Sequence, residues 1–476
     1  MAKIREQFGS RIGFILAAAG SAVGIGNLVG FPVNAAKNGG AAFLFIYAFF
    51  VFIVCLPVMI AELAAGRQSR KNPLGAYKHF AGKQKFWHIG GALALITPIM
   101  VTVFYTVITV WVLGYLVNIA LGNLDQLAND SYFSAFINTN QVFGYFIVLT
   151  VLVGLILSGG VKEGIERGAK IMMPALLIML IGLVVFVLFQ DNALAGLKFY
   201  LIPDASKITP DVVNGALSQA FFSLSLGMGI LITYGSYMDK HTGIPNSAKM
   251  VAITDTGVAF FAGLLILPAI FSFNPDINPE ELSSSSVSLI FSFLPKIFLA
   301  MQAGIGYFGA SLVAATFFLL VFFAALTSLV SIIEVPVSGV MDEMGFSRNK
   351  SLLVLGAALI LFILASAVSF GRVQFFTEFI GYGGATKSFF DLIVDIFYET
   401  ILPLNGFIIC MLVSYRWNTQ KFDEALEEGE VRFKGTLYER YVNFSLRTFI
   451  PAILLLIFIN TVMSKYFGKG LLEFFS

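Results

Sequence analysis

Charge is scarce in this 476-residue chain. Asp, Glu, Lys and Arg together make up 12% of it, where soluble globular proteins carry about a quarter. So little charge cannot clothe a conventional solvated surface. The formal net charge of +2 gives no electrostatic case for a nucleic-acid partner. Cysteine is limited to Cys55 and Cys410, both inside apolar runs, which argues against a disulfide framework and for two free, buried thiols. Histidine is limited to His79, His88 and His241, all in or beside polar segments. That removes Ser–His catalysis and His–metal centres from the apolar interior. No catalytic residue is assigned and no enzyme is expected. A repeated pore filter or a ring of charge, which a channel needs, is also missing.

What the chain has instead is apolar length. Hydrophobic residues make up 58%, with 50 Phe and 45 Gly. Runs of about 20 apolar residues recur, enough to cross ~30 Å of hydrocarbon as helix, and glycine lets such helices approach closely. Eleven spans are predicted, at 10–36, 41–66, 88–121, 142–158, 170–189, 211–238, 243–273, 306–341, 350–370, 389–416 and 445–464. With the N-terminus inside, the outer segments hold only Lys37, Lys198, Lys207, Lys296, Arg372, Lys387, Lys465 and Lys469 of the 30 Lys and Arg. The positive-inside rule therefore predicts a cytoplasmic N-terminus and an extracytoplasmic C-terminus. The polar, basic start MAKIREQFGSR leads straight into span 1, so no cleaved signal peptide is expected. A lid or re-entrant hairpin is expected over 274–304, whose apolar half is too short to span. A solvated cytoplasmic connector is expected around 418–435.

Two spans are interrupted. Span 1 carries Gly20-Ser21-Ala22-Val23-Gly24-Ile25-Gly26-Asn27 and then Phe31-Pro32; span 6 carries Ser223-Leu224-Ser225-Leu226-Gly227-Met228-Gly229. Taken singly, either stretch reads as close helix packing. They occupy corresponding positions if spans 1–5 and 6–10 are repeats, and such a pair points to a midplane site between inverted repeats. Non-helical backbone at that depth survives only against a protein-enclosed cavity. A half-helix N-terminus suits a carboxylate, and exposed carbonyls suit a hard cation. In span 8, Ala324-Ala325-Leu326-Thr327-Ser328 offers two hydroxyls that either complete an oxygen shell or bond back to their own helix. The intramembrane acids Glu62, Asp255, Glu334, Asp391, Asp395 and Glu399 are further candidates. Asp391, Asp395 and Glu399 are spaced to share one face of span 10.

Together, Arg5, the run Ala22 to Asn27, Phe31-Pro32, Asn38-Gly39-Gly40, Phe104-Tyr105, Ser223 to Gly227, Leu326-Thr327-Ser328 and Asp342-Glu343 resemble the neurotransmitter:sodium symporter family, and its bacterial amino-acid branch in particular. The likeness covers essentially the whole chain. It implies an all-α polytopic membrane protein with the LeuT-like fold: two inverted five-helix repeats plus one extra C-terminal helix, 11 transmembrane helices in all. The corresponding division is a cytoplasmic N-terminus (1–9), a first repeat (10–189), a second repeat (211–416) that includes the lid, a cytoplasmic connector (417–444), and span 11 with a short outer tail (445–476).

The resemblance also implies site residues. One sodium ion (Na2) would take the Gly20, Val23 and Ala324 backbones and the Thr327 and Ser328 hydroxyls. The other (Na1) would take the Ala22 backbone, the Asn27, Ser223 and Asp255 side chains and the substrate carboxylate. That carboxylate would meet the N–H groups of the Gly24–Ile25–Gly26 break and the Tyr105 hydroxyl, and the substrate amino group would meet carbonyls around Ala22, Phe222 and Ser225. The side-chain pocket would be Val101, Phe222, Met228, Ser328 and Ile332. Arg5, Ser236, Tyr237 and Asp342 match a cytoplasmic gate. Gly164 and Pro174 match a span 5 pattern associated with water entry.

Where the family usually has an Arg before Phe31, this chain has Gly30. Asp395, the candidate outer-gate acid, is thereby left without its usual partner, with Arg372 and Lys387 as candidate substitutes. Chloride-dependent relatives hold the anion near positions matching Tyr47, Gln219, Ser223, Asp255 and Ala259. Here Asp255 supplies a covalent negative charge, so no chloride requirement is expected. The expectation is a sodium-coupled symporter for hydrophobic, including aromatic, L-amino acids in a bacterial cytoplasmic membrane. Its partners would be substrate and lipid bilayer, with no obligate protein partner. A transporter of another small amphipathic solute, or a non-transporting amino-acid receptor on the same fold, is the alternative.

Overall fold

A computed structural model describes residues 5–273, 287, 289–429 and 433–471. Of the expected lid, residues 274–286 and 288 lie outside the described residues. Among the described residues, nine helices are long and apolar enough to cross a membrane: Ala41–Ser69, Trp87–Ala120, Gln141–Ser158, Val161–Leu188, Ile244–Ser272, Gln302–Met344, Arg348–Ala367, Phe389–Trp417 and Leu437–Phe467. They correspond to expected spans 2–5 and 7–11. Span 1 is a bent pair, Arg11–Ala22 and Gly26–Lys37, meeting at 55°. The expected span 6 is two half-helices, Pro210–Ser223 and Ile230–Ser236.

Burial sorts the helices into layers. The most apolar windows of spans 4, 5 and 9 are only 22%, 33% and 28% buried, while that of span 8 is 78% buried. Ile147, Leu155, Ile178, Leu353 and Leu361 therefore point outward, as side chains do where lipid is the solvent. Span 8 lies along span 3, and the second half of span 6 along span 2, in the protected centre.

Several boundaries differ from expectation. Span 5 begins at Val161, not 170, because a π-helical turn over Val161–Glu166 continues into Arg167–Leu188. Span 8 starts at Gln302, with a non-helical Gly306 (φ 71°) near its beginning. The connector 417–444 is not all coil. It contains the helix Thr419–Glu427 and the start of Leu437–Arg447, which runs into the last span across a kink at Thr448. The fold is not purely helical either, since Ile380–Tyr382 (β1) and Ala385–Lys387 (β2) pair as an antiparallel hairpin. Within the stretch expected as a lid, Leu294–Ala300 is a helix that follows a π-helical turn at Leu289–Phe293. It is anchored where Tyr115 Oη donates to the Phe291 carbonyl (2.9 Å) and the Phe133 ring stacks on Phe291.

Candidate substrate and ion site

The two breaks face each other. Span 1 leaves the helix at Val23 (φ −69°, ψ 106°) and resumes as a π-helical turn at Gly26–Gly30. Span 6 turns through Ser225 (φ 54°), Gly227 (φ 77°) and Gly229 (φ 69°), left-handed backbone that glycine adopts without penalty. Gly227 is needed twice over, since a Cβ there would also lie 2.5 Å from the Leu402 carbonyl. Its N–H donates to Glu62 Oε1 (2.8 Å) and its carbonyl accepts from Asn405 Nδ2 (2.8 Å). Glu62 is thus a brace for the break. Ser225 Oγ donates to the Ser21 carbonyl (3.1 Å) and ties one break to the other.

Between them lies a cavity of about 40 Å³. Of the expected substrate-binding residues, Ala22, Gly24, Gly26, Val101, Tyr105, Phe222, Ser223, Ser225, Met228, Ser328 and Ile332 line it. Ile25 stands just behind, its N–H pointing at Tyr105 Oη (3.4 Å). Gly24 has to be glycine: a Cβ would lie 2.8 Å from that same hydroxyl. Sequence reasoning missed two lining residues, Ser21 and Tyr398, and placed Gln219 only among the anion positions. Ser21 Oγ is buried with no partner among the described residues, so it is free to bond a ligand. Its place beside Gly20 in the broken stretch was a usable signal.

Two oxygen clusters adjoin the cavity. In the first, Asn27 Nδ2 donates to Asp255 Oδ1 (2.7 Å) and Ser223 Oγ (2.9 Å), while Ser223 Oγ and Tyr47 Oη donate to Asp255 Oδ2 (2.8 and 3.2 Å). Asp255 is fully buried, and these side-chain partners are all neutral. A buried carboxylate without a counter-ion is costly unless a cation joins it. In the second cluster, Ser328 Oγ lies 3.3, 3.2 and 3.1 Å from the Gly20, Ser21 and Val23 carbonyls. Thr327 Oγ1 instead donates within its own helix, to the Phe323 and Ala324 carbonyls at 2.9 and 3.1 Å. Its oxygen keeps its lone pairs while it donates. The second cluster offers oxygen alone, the donor set of a hard cation. In the first, Asp255 and Ser223 offer oxygen, while Asn27 turns Nδ2 towards them and its Oδ1 accepts from the Gly24 N–H (3.1 Å).

The expected gate residues also converge. Arg5 Nη1 contacts Asp342 at 2.6 Å, Arg5 Nε donates to Ser236 Oγ (2.9 Å), and the guanidinium lies 4.9 Å from the Tyr237 ring centroid. Asp342 also accepts from the Asn72 N–H (2.8 Å). Beyond this closed gate is a vestibule of about 970 Å³, lined by Arg70, Lys78, Glu343 and Arg348 among others. Glu334 was a bare candidate acid. It forms a buried pair with Arg348 (2.7 Å) and accepts from Tyr237 Oη (2.7 Å).

At the opposite end, Asp395 is paired after all. Lys387 lies at 3.3 Å and Lys465 at 3.0 Å, and Tyr382 Oη donates to it (2.8 Å). Arg372, the other candidate partner, bonds instead to Asn140 Oδ1 (2.6 Å). Lys465 was missed. It sits 70 positions away at the end of the last span, with no local signal of contact.

A cavity between two broken helices, flanked by clusters of buried oxygens and with the Arg5–Asp342 ion pair on one side, is the arrangement of a secondary transporter. The sequence profile of the sodium:neurotransmitter symporter family matches residues 5–132 and 134–471. The chain belongs to that family, which is one of sodium-coupled transporters and not of enzymes. A sodium-dependent transporter of Bacillus subtilis, YhdH, is 32% identical over 460 residues, covering 96% of this chain and 97% of its own. A sodium-dependent transporter of Methanocaldococcus jannaschii is 32% identical over 480 residues, covering 98% and 92%. The crystal structure of MhsT in complex with L-phenylalanine matches with a TM-score of 0.82 at 35% identity, over 96% of this chain and 99% of that one. The predominantly helical fold, the multi-pass membrane location and the coupling to sodium follow.

Proposed function

We propose that this protein imports hydrophobic L-amino acids, aromatic ones included, with sodium, by alternating access, and without a chloride requirement. The observation that carries the reading is Asp255, a buried carboxylate held only by neutral side chains beside both breaks. Sodium at Asn27, Ser223 and Asp255, completed by the substrate's own carboxylate, makes each ligand favour the other, which is coupling. A second sodium would sit among the Gly20, Val23 and Ala324 carbonyls and the Thr327 and Ser328 hydroxyls. Val101, Phe222, Met228 and Ile332 offer an apolar side-chain pocket with no charge partner. The complex of MhsT with L-phenylalanine supports an aromatic substrate.

In this reading the chain has eleven spans in two inverted repeats plus one, with spans 1 and 6 as the broken pair. The Arg5 side is cytoplasmic, as the distribution of Lys and Arg requires, and the membrane is the bacterial cytoplasmic one. The vestibule behind the Arg5–Asp342 pair favours transport over a receptor role, because a receptor needs no exit path. The test is thermal unfolding of the purified protein with each of the twenty amino acids, in sodium and in choline. Ligand binding stabilises in proportion to RT ln(1 + [L]/Kd). Leucine, phenylalanine or tryptophan should raise Tm in sodium alone. A rise with glutamate or lysine of equal size, or one independent of sodium, would overturn the reading.

A further inference from the structure

The outer wall of the cavity contains a residue that neither the motif positions nor the ion clusters account for. Tyr398 lines the cavity together with Phe222, Met228 and Ile332. Its ring stacks on Phe222 of span 6, with centroids 4.9 Å apart and planes 26° apart, and meets the edge of Phe104 of span 3 at 5.5 Å. Three helices are thus joined by one ring above the site.

The surroundings explain why this ring can close the cavity. Tyr398 lies on a π-helical turn, Val394–Thr400, a geometry that re-aims side chains and gathers at functional sites. Its neighbours Asp395 and Glu399 both turn to Lys465 of the last span, at 3.0 and 2.7 Å. With Lys387 and Tyr382 of the hairpin also on Asp395, the acid is held on the side of span 11. At the position before Phe31, span 1 has Gly30, which has no side chain to pair with an acid. Closure by an ion pair between spans 1 and 10 is therefore replaced here by aromatic contact between spans 10, 6 and 3. The polar cluster behind fixes the turn that carries the ring.

We infer that Tyr398 is a specificity-determining lid residue, whose ring forms the outer wall of the substrate side-chain pocket and sets which side-chain sizes are transported. The inference rests on the amino-acid reading above. A cavity of about 40 Å³ has room for only a few waters, so a substrate side chain enters by displacing lining side chains, and the stacked pair Phe222 and Tyr398 is among them. A large aromatic side chain stays in contact with the lid, whereas a smaller one depends on the lid closing down on it. Truncating the ring removes the wall from small substrates and makes space for large ones.

The experiment measures kcat/KM for leucine, phenylalanine and tryptophan uptake in proteoliposomes with the wild type, Tyr398→Phe, Tyr398→Leu and Tyr398→Ala. Tyr398→Phe should keep the wild-type order, because the hydroxyl is not what closes the wall. Tyr398→Ala should raise the tryptophan-to-leucine ratio about tenfold, the scale on which apolar pockets discriminate. A ratio unchanged within twofold, including an equal loss for all three substrates, would overturn the inference and leave Tyr398 as packing. If Tyr398→Ala no longer shows a sodium-induced rise in Tm, Tyr398→Leu decides, a ratio shift above threefold supporting the lid and a smaller one overturning it. Absence of sodium-dependent uptake of all three by the wild type would overturn the substrate reading itself, and the lid with it.

Discussion

Asp255 concentrates the chemistry at the scale of single residues. Its oxygens are held by Asn27, Ser223 and Tyr47, which orient the carboxylate without neutralising it. A chloride ion brought to ~5 Å from that charge would be repelled by about 3 kcal/mol in an effective dielectric of ~20, so the wild type should transport equally in sodium gluconate and sodium chloride. Asp255→Asn keeps the shape and removes the charge. Its uptake should fall at least about tenfold in gluconate, the equivalent of roughly 1.4 kcal/mol, and recover in part with chloride. Comparing initial uptake rates in the two salts decides it. Chloride-dependent wild-type uptake, or an Asn variant indifferent to chloride, contradicts this role for Asp255.

Spans 1 and 5 are interlocked by two carboxylates. Glu166 of span 5 accepts from the Gly9 N–H (2.5 Å) and Ser10 Oγ (2.8 Å) at the start of span 1. Glu6, just ahead of span 1, accepts from the Val161 N–H (2.8 Å) at the start of span 5. Glu6 satisfies a donor that a helix start leaves open, whereas Glu166 holds the chain just ahead of span 1 through the Gly9 N–H and the Ser10 cap hydroxyl. Unwinding of span 5 between Gly164 and Pro174 would displace Glu166 from Gly9 and Ser10 and loosen the segment that carries Arg5. Glu166→Gln weakens the lock while keeping the shape, so amide exchange across 161–174 should quicken several-fold in hydrogen-exchange mass spectrometry. Unchanged exchange would show the two helices to be uncoupled. Asp342→Ala removes the gate pair directly. A cysteine probe in the inner vestibule should then react faster and uptake should drop, whereas unchanged reactivity with normal uptake would mark Arg5–Asp342 as an ordinary exposed pair worth under ~1 kcal/mol.

Much at this scale was legible in the sequence, because clustered glycines beside small polar residues mark a helix break, although single prolines such as Pro98, Pro174, Pro268 and Pro336 stay inside helices. The interruptions at Gly24–Gly26 and Gly227–Gly229 fall where expected, and Arg5, Ser236, Tyr237 and Asp342 come together. Asp395 and Glu399 share a face as their spacing requires, both reaching Lys465. Asp391 instead closes a capping box with Ser388. The π-helical turns were not legible, because they need no special residue. They shifted the start of span 5 and hid the orientation of Tyr398. Lys465 was hidden by distance along the chain, since electrostatic partners carry no sequence pattern when separate helices bring them together.

The whole molecule is a protected centre of spans 1, 2, 3, 6, 7 and 8 within a more exposed set of apolar helices. The cavity lies where the two broken helices face each other, with the Arg5–Asp342 ion pair towards one end and the Phe222–Tyr398 ring pair in its wall. Such an arrangement does work only if the sodium gradient moves the substrate. The most direct measurement is uptake of radiolabelled phenylalanine or leucine into proteoliposomes, with sodium outside and choline inside, then with choline on both sides, then with equal sodium on both sides. Accumulation above the external concentration under the inward sodium gradient, absent in choline and collapsing to equilibration in equal sodium, is the predicted result. Accumulation of the same extent in choline would contradict it.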